Sequence, residues 1–347
     1  MPDLKLYTVA ELREWLLHNA ACEGLSGKLI SPARAWAIVH NPYVKDDDPV
    51  LSAIFIGGKN VAYVSAFPEE IDGKRYWWLS GLWCDPDYQG NGYGLIVIGS
   101  LAEVYGNEYC LDRWGRKETV EIFTYLGHKT VYTPRYILAI GASGRTVKSR
   151  IKHAVQLTQK YLHRLIEKTL KNEPYSLRYL SYIDDATYEF IRKHRSNDYF
   201  KHSQEFLNWV LRYPFNISAP LIDRVDELMP FTQSEMRNTQ LFAVDVFDGE
   251  TMIGFYLLKK NVDSLHVLYL YYEETKRINV FASIRDHVKS MNISKCVMEN
   301  KPLAEYLQSQ IYFPIKDTSM VSFSFPASTS PFHSENLQYG DGDCFTA

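Results

Sequence analysis

No stretch of this sequence is apolar for long enough to cross a membrane as a helix. The longest apolar run, GLIVIGSLA from Gly94 to Ala102, is far shorter than the ~20 residues that a span requires. Charge of one sign is lacking as well. The 38 Lys and Arg nearly balance the 41 Asp and Glu, for a formal net charge of −3, which argues against a globally basic nucleic-acid binder. Cysteine is sparse and odd in number: Cys22, Cys84, Cys110, Cys296 and Cys344 are scattered, with no CxxC and no His–Cys spacing of a zinc site. That pattern excludes a disulfide framework, fits reduced thiols and gives no metal site. An export signal is missing too, because Asp3, Glu11, Arg13 and Glu14 fall where its apolar core would have to be. The expected location is therefore cytoplasmic, with no membrane partner.

What is present is a 347-residue chain, 46% hydrophobic, which suits two domains of ordinary size or one large one. Its first segment, MPDLKLYTVAELREWLLHNAACEG, has the periodicity of an amphipathic helix. Comparing the chain with itself is the most informative step. LSAIFIGGKNVAYVSAF from Leu51 matches LFAVDVFDGETMIGFYLL from Leu241; both read as strand, tight turn, strand. The match continues in order. YWWLSGLWC from Tyr76 parallels SLHVLYLYY from Ser264, and GLIVIGSLAEVYG from Gly94 parallels the helical NVFASIRDHVKSM from Asn279. EYCLDRW from Glu108 parallels SKCVMEN from Ser294, and ETVEIFTYLGHKTV from Glu118 parallels PLAEYLQSQIYFPI from Pro302. A duplicated α/β unit accounts for this, and the order of elements predicts a mixed, largely antiparallel sheet with helices on its faces.

Between the copies, Val147, Ile151, Val155, Leu162, Leu165 and Ile166 recur at helical spacing and predict a long connecting helix ending before Pro174. Its other face is basic, with Arg145, Lys148, Arg150, Lys152, Lys160, Arg164, Lys168 and Lys171 against Glu167 alone. A solvated linker face is the commoner meaning of such a charge run; it is also the one feature that would suit nucleic acid.

The glycine-rich stretch Gln89, Gly90, Asn91, Gly92, Tyr93 and Gly94 lies between a predicted strand and a predicted helix in which Leu95, Ile96, Ile98, Leu101, Ala102 and Val104 are expected to be largely buried. Its spacing is neither a Rossmann fingerprint nor a Walker A loop, since no Gly-Lys-Ser/Thr follows. A turn of this kind is either a tight connection or an anion site, because backbone N–H groups and the positive end of the helix dipole converge there.

The segment WCDPDYQGNGYG from Trp83 to Gly94 resembles the acetyl-CoA pyrophosphate signature of the GNAT superfamily of N-acetyltransferases, with Gln89, Gly92 and Gly94 at its three defining positions. The likeness spans roughly residues 1 to 140. It implies an α+β fold of two GNAT-like domains, each a mixed, mostly antiparallel twisted sheet flanked by helices and joined by a long helix, with boundaries at 1–142, 143–174 and 175–347. It further implies that the N–H groups from Gln89 to Gly94 hold the pyrophosphate of acetyl-CoA and that the strand ending at Trp83 and Cys84 pairs with the pantetheine arm. The thioester would then lie where this strand splays from EYCLDRW, and the reaction would be direct attack by an amine of a small molecule or peptide.

The resemblance breaks at the proton donor. Many family members carry a tyrosine where this chain has Phe123, four residues before Gly127, and His128 replaces the phenylalanine that follows. Tyr125 lies only two residues away, though on a helix it is turned from Phe123 by more than a right angle. Asp112 is the candidate base, with Glu69, Glu70 and His128 as further titratable candidates. The second copy replaces DPDYQGNGYG by YEETKRINVF, without a glycine, and is expected to keep the fold but not the cofactor loop. The aromatic runs RYWWLSGLW and LHVLYLYYEE read as sheet core. The polar tail PFHSENLQYGDGDCFTA reads as surface. Three readings follow: an N-acetyltransferase; a non-catalytic binder of acetyl-CoA or CoA, or a structural protein, with a GNAT fold; and acyl or aminoacyl transfer onto a macromolecule that uses the basic helix from Arg145 to Lys171.

Overall fold

The chain enters its sheet earlier than its helical periodicity suggests. Asp3–Thr8 forms a strand, β1, paired antiparallel with β2 (Pro49–Ile56) from Asp3↔Phe55 to Tyr7↔Leu51. Helix α1 (Val9–Asn19) begins only at a capping box: the Thr8 N–H donates to Glu11 Oε2 at 2.9 Å, and the Glu11 N–H donates to Thr8 Oγ1 at 3.2 Å. The single helix expected over this segment is thus corrected to strand, then helix. The reciprocal cap gives the helix a defined start, and the edge of β2 takes up what precedes it. The computed structural model describes residues 1–19, 29–30, 32–71, 73–113, 115–139, 175–212, 239–261, 264–291, 293–309, 315–327 and 336–342. The expected connecting helix lies outside the described residues.

The elements repeat in the same order. The first unit continues with α2 (Pro32–Val39), β3 (Lys59–Ile71), β4 (Lys74–Cys84), α3 (Tyr93–Tyr105), β5 (Cys110–Arg113), α4 (Lys117–Tyr125) and β6 (His128–Ala139). The second runs β7 (Ser176–Leu180), α5 (Asp185–His194), α6 (Gln204–Arg212), β8 (Thr239–Asp248), β9 (Thr251–Asn261), β10 (Ser264–Tyr272), α7 (Arg277–Ser290), β11 (Lys295–Met298), α8 (Lys301–Ser309) and β12 (Ile315–Pro326). Both hairpins turn where the sequence indicates. Gly57 and Gly58 have φ of +60° and +80°, and Gly249 has +60°, the positive values that two-residue hairpin turns require. Each fourth strand of a unit carries a bulge at the same place. Ser80 to Trp83 oppose Ser65 to Tyr63 in the first unit, and Val267 to Tyr269 oppose Leu258 to Leu257 in the second.

The twelve strands among the described residues form one sheet in the order β1-β2-β3-β4-β5-β12-β6-β11-β10-β9-β8-β7. The two units exchange their last strands. β12, from the second, inserts between β5 and β6, pairing Phe323↔Arg113 and running the length of β6 from Ile315↔Ala139 to Pro326↔His128. β6, from the first, pairs with β11. This reciprocal exchange makes each sheet depend on the other unit.

Three cores result. One lies under α1, α2 and α3 and includes Leu12, Val64, Trp77, Val97 and Leu101. Another lies under α7 and α8, around Tyr256, Phe281 and Leu303. The third lies between the units: Phe67, Trp78 and Leu111 of the first meet Phe200, Phe206, Trp209 and Tyr269 of the second. The aromatic runs are core residues, with Trp77, Trp78, Tyr269 and Tyr271 all buried. The third core also contains Leu337 and Tyr339, so the expectation that the tail lies on the surface is corrected for residues 336–342. Its two apolar side chains enter the seam between units, and its polar groups find partners there. Residues 328–335 and 343–347 lie outside the described residues.

Candidate functional site

The passage from β4 into α3 is built on left-handed glycines. After β4, Asp85 receives the Asp87 N–H at 3.0 Å and starts a short 3-10 turn over Pro86–Tyr88. Its own N–H donates to the Val61 carbonyl at 2.8 Å, and Lys59 pairs with it at 2.7 Å. Gly90 and Gly92 then take φ of +82° and +78°, and α3 begins at Gly92 with no side-chain cap. A Cβ at either glycine would meet nothing within 4 Å, so conformation and not crowding demands glycine there. The loop therefore leaves first-turn N–H groups of α3 without a side-chain cap, at the positive end of the helix dipole, beside open space. Two of its side chains tie the loop to itself. Gln89 Nε2 donates to the Cys84 carbonyl at 3.3 Å, and Asn91 Nδ2 to the Tyr88 carbonyl at 3.0 Å. α3 buries a narrower face than expected: Val97, Ile98, Leu101 and Ala102 are buried against the sheet, but Leu95, Ile96 and Val104 are exposed. The helix packs on β2, β3 and β4 along one side only.

Beside the loop, β4 and β5 part. Their parallel pairing covers Trp77↔Cys110 and Trp78↔Leu111, after which β4 continues to Cys84 with no pairing to β5. Gly81 bends β4 with φ +67°, and Arg34 of α2 covers it; Arg34 Nη1 donates to Ser80 Oγ at 2.6 Å. Trp83 stacks on Tyr63 at 5.6 Å, and burial pushes the half-buried Cys84 thiol up.

The candidate catalytic residues fall out differently. Asp112 is buried, one residue beyond the last β4–β5 pair. It packs against the turn into α4, where a Cβ on Gly115 would come within 2.4 Å of Asp112 Oδ2. Tyr125 is 80% exposed on α4 while Phe123 is fully buried, so the helix turns them to different sides. His128 is a core histidine: its Nε2–H donates to the Cys110 carbonyl at 3.0 Å, its ring meets Phe123 edge-on, and burial holds its pKa below the usual value. Glu70 is exposed at the end of β3.

Glu69 belongs instead to a buried ionic chain between the units. His202 Nδ1 lies 2.6 Å from Glu69 Oε1, and His202 Nε2 lies 2.8 Å from Asp341 Oδ1; all three residues are almost inaccessible. Burial alone would lower the His202 pKa, but the two carboxylates reverse this and lift it to about 10, so the ring is cationic at neutral pH. Close by, Arg113 Nη2 meets Glu299 Oε2 at 2.5 Å, while burial raises the Glu299 carboxyl to about 7. Asp198, which accepts from the Tyr271 hydroxyl at 2.8 Å, is raised to about 7 by burial and then by Asp341. Sequence reasoning missed this group. Its members are scattered from position 69 to 341 and share no spacing; a charged residue inside an otherwise apolar strand, as at Glu69, was the only signal.

The second unit makes the equivalent passage without a loop. The Glu273 N–H donates to the Ile253 carbonyl at 2.9 Å, just as Asp85 does to Val61, and a 3-10 turn over Glu274–Lys276 follows. α7 then starts at once at Arg277, whereas four residues, 89–92, separate the corresponding turn from α3. Lys276 pairs with Asp248 at 2.8 Å. Among the described residues there is no cluster that could hold a metal ion, and no helix is long and apolar enough to cross a membrane. Cys84, Cys110 and Cys296 are free thiols, while Cys22 and Cys344 lie outside the described residues.

Residues 11–120 match the acetyltransferase (GNAT) family. The fold is shared with a putative acetyltransferase from Pyrococcus horikoshii, at TM-score 0.51 and 10% identity over 98% of this chain and 93% of that one. It is also shared with a protein from Enterococcus faecalis described as a probable N-acyltransferase, at 0.51 and 12% over 93% and 72% of the two chains. A third is Saccharomyces cerevisiae N-myristoyltransferase with bound myristoyl-CoA, at 0.51 and 11% over 93% and 82%. At such identities the likeness is one of fold. No curated protein matches the sequence. The family match falls within the first unit, and the second unit repeats that unit's order of elements.

Proposed function

We propose that the chain is an acyl-CoA-dependent N-acyltransferase, with acetyl-CoA as donor and an amine of a small molecule or peptide as acceptor, working in the cytoplasm. The observation that carries this reading is the start of α3: two left-handed glycines deliver a helix N-terminus with no side-chain cap to open space, next to a strand edge that has lost its neighbour. The residues fit the donor. N–H groups from Gln89 to Gly94 would hold the pyrophosphate, and the edge of β4 toward Trp83 and Cys84 would pair with the amides of the pantetheine arm. The thioester supplies an electrophilic carbonyl. The amine nitrogen attacks it, the C–N bond forms as the C–S bond breaks, and the thiolate leaves. Asp112 is the carboxylate on β5 beside the parting of the strands, and in this reading it takes the proton that the acceptor's ammonium must lose for its nitrogen to attack. The second unit serves as scaffold and as one wall of the acceptor side.

A second reading, a binder of acetyl-CoA or CoA without chemistry, is favoured by one observation: the position of the usual donor tyrosine is held by Phe123, fully buried and packed on His128. Calorimetry with acetyl-CoA tests both. Wild type and Lys276→Glu are expected to bind one equivalent, and Gly92→Glu none. Absence of wild-type binding, or equal loss in both variants, overturns the site. A screen of amines followed by free-thiol release then separates the readings: turnover that falls in Asp112→Asn while binding persists supports the enzyme, and no thiol release with any amine supports the binder.

A further inference from the structure

The second unit also has a parting of strands. β10 pairs with β11 only from Ser264↔Lys295 to His266↔Val297, and then runs on to Tyr272. This is the counterpart of the gap beside β4, which the proposed function assigns to the pantetheine arm. In the second unit the chain itself lies along the strand edge. The Gly340 N–H donates to the Leu268 carbonyl at 2.8 Å, and Gln338 Nε2 donates to the Leu270 carbonyl at 3.4 Å. The Tyr269 hydroxyl returns a bond to the Gly340 carbonyl at 2.9 Å, and His266 Nδ1 lies 2.8 Å from the Tyr339 hydroxyl. Leu268 sits at the bulge of β10, the position that Ser80 and Gly81 hold in β4.

We propose that residues 336–342 are a built-in ligand of the second unit: a segment that permanently fills the groove beside β10 and, from there, fastens the second unit to the first. Only the comparison with the pantetheine groove rests on the functional reading; the occupancy and the fastening rest on contacts alone.

The fit is that of a fixed insert and not of a lid. A Cβ on Gly340 would come within 2.6 Å of the Tyr269 ring, so the backbone lies as close to the aromatic face as a glycine permits. Leu337 and Tyr339 are buried in the inter-unit core. Asp341 folds the segment on itself by accepting the Gln338 N–H at 2.8 Å, and its other oxygen meets His202. Arg113 of the first unit donates to the carbonyls of Gln338 and Asp341 at 2.7 and 3.0 Å, and Gly342 abuts Trp78. Withdrawing the segment would strand the cationic His202 beside Glu69 and remove two acceptors from a buried guanidinium. Such losses oppose release. The segment also explains why a strand edge at the bulge of β10 can persist without a cofactor: its donors already occupy the carbonyls that a ligand would use.

The test is a chain ending at Glu335, with a synthetic peptide of residues 336–342 added back. The truncated chain is expected to melt roughly 5–10 °C below the full chain, and the peptide to restore the midpoint saturably. A peptide carrying Asp341→Asn should restore less. An unchanged midpoint on truncation, or a peptide without effect on a folded truncated chain, overturns the proposal. Where the truncated chain does not fold, hydrogen exchange on the full chain decides. The Gly340 amide is expected to exchange at the pace of the core strands and to lose that protection in Gly340→Val; exchange at the rate of an open chain in the wild type overturns the proposal. Acetyl-CoA calorimetry on the full chain reports on the first unit independently, so a failure of the functional reading leaves the tail result interpretable.

Discussion

After β4 and after β10 the chain performs the same manoeuvre, and the two differ in the one loop to which the proposed function assigns the donor. Both passages close the strand with one bond to the preceding hairpin, from Asp85 to Val61 and from Glu273 to Ile253, and both make one 3-10 turn. In both a lysine–aspartate pair ties turn to hairpin, although the signs are exchanged: Lys59 with Asp85, Asp248 with Lys276. The fold is satisfied by this much, since α7 follows its turn directly. Residues 89–92 are therefore surplus to folding. They add two positive-φ glycines, at a conformational cost that the packing does not demand, and they face open space. Extra loop length with uncapped donors is what the proposed binding role would require of this connection.

The largest effect is expected from erasing that difference. Deletion of residues 89–92 gives the first unit the connection that the second already has, so the fold should survive with a melting midpoint within a few degrees of wild type. Acetyl-CoA affinity should fall at least about 100-fold, since several charge-assisted bonds to the pyrophosphate disappear together. A deletion variant that binds acetyl-CoA as the wild type does would show that the loop is only a connection.

The next effect concerns the seam that joins the two units. His202 is protonated between Glu69 and Asp341, with a pKa lifted to about 10 from an ordinary 6.5. Its folded-state value lies above its unfolded one, so its contribution to stability is complete below about 6.5 and drains away as pH climbs toward 10. Asp198 and Glu299, both raised to about 7 by burial, act in the same direction at lower pH: each folded carboxyl keeps its proton where the unfolded one would ionise, so stability falls as pH rises from about 4 to 7. The melting midpoint should consequently be higher at pH 6 than at pH 9. His202→Gln should cost roughly 3–5 kcal/mol near neutrality, because it leaves two carboxylates buried without their cation. Between pH 7 and 10 the variant's midpoint should be flatter than that of the wild type. Parallel profiles would mean that His202 does not carry the alkaline loss.

Most of the fold was legible because its signals are local. The hairpins announced themselves through Gly57-Gly58 and Asp248-Gly249, and the repeat through matching apolar patterns, whereas the start of α1 at Thr8 and Glu11 was overlooked. The loop was legible because its glycines sit at a strand-to-helix boundary, where Gly90 and Gly92 take the positive φ that favours glycine. What escaped were the features set by distant partners. Strand exchange leaves no trace in β6 or β12, since a strand's periodicity is the same whichever neighbour it pairs with. The tail read as surface because Gln338 and Asp341 are polar; their burial depends on Arg113 and His202, more than a hundred residues away. Tyr125 was the nearest phenol to Phe123 in sequence, but nearness along a helix says nothing about which side a residue faces.

The smallest effect is expected from the reverse exchange, and it separates two explanations of the second unit's silence. Inserting Gln-Gly-Asn-Gly between Lys276 and Arg277 restores the missing loop at the start of α7. If loop length alone distinguished the units, the variant would bind a second equivalent of acetyl-CoA. The groove beside β10 is already filled, however: the Leu268 carbonyl accepts from Gly340, and the Tyr269 ring is in contact with the same residue. Glu273 and Glu274 also place negative charge at the turn, where a pyrophosphate would have to approach. Calorimetry of the insertion variant should therefore still give one equivalent, with the affinity of the wild type. A second equivalent would mean that residues 336–342 yield to a cofactor, and that the tail is a competitor in the groove and not its fixed occupant.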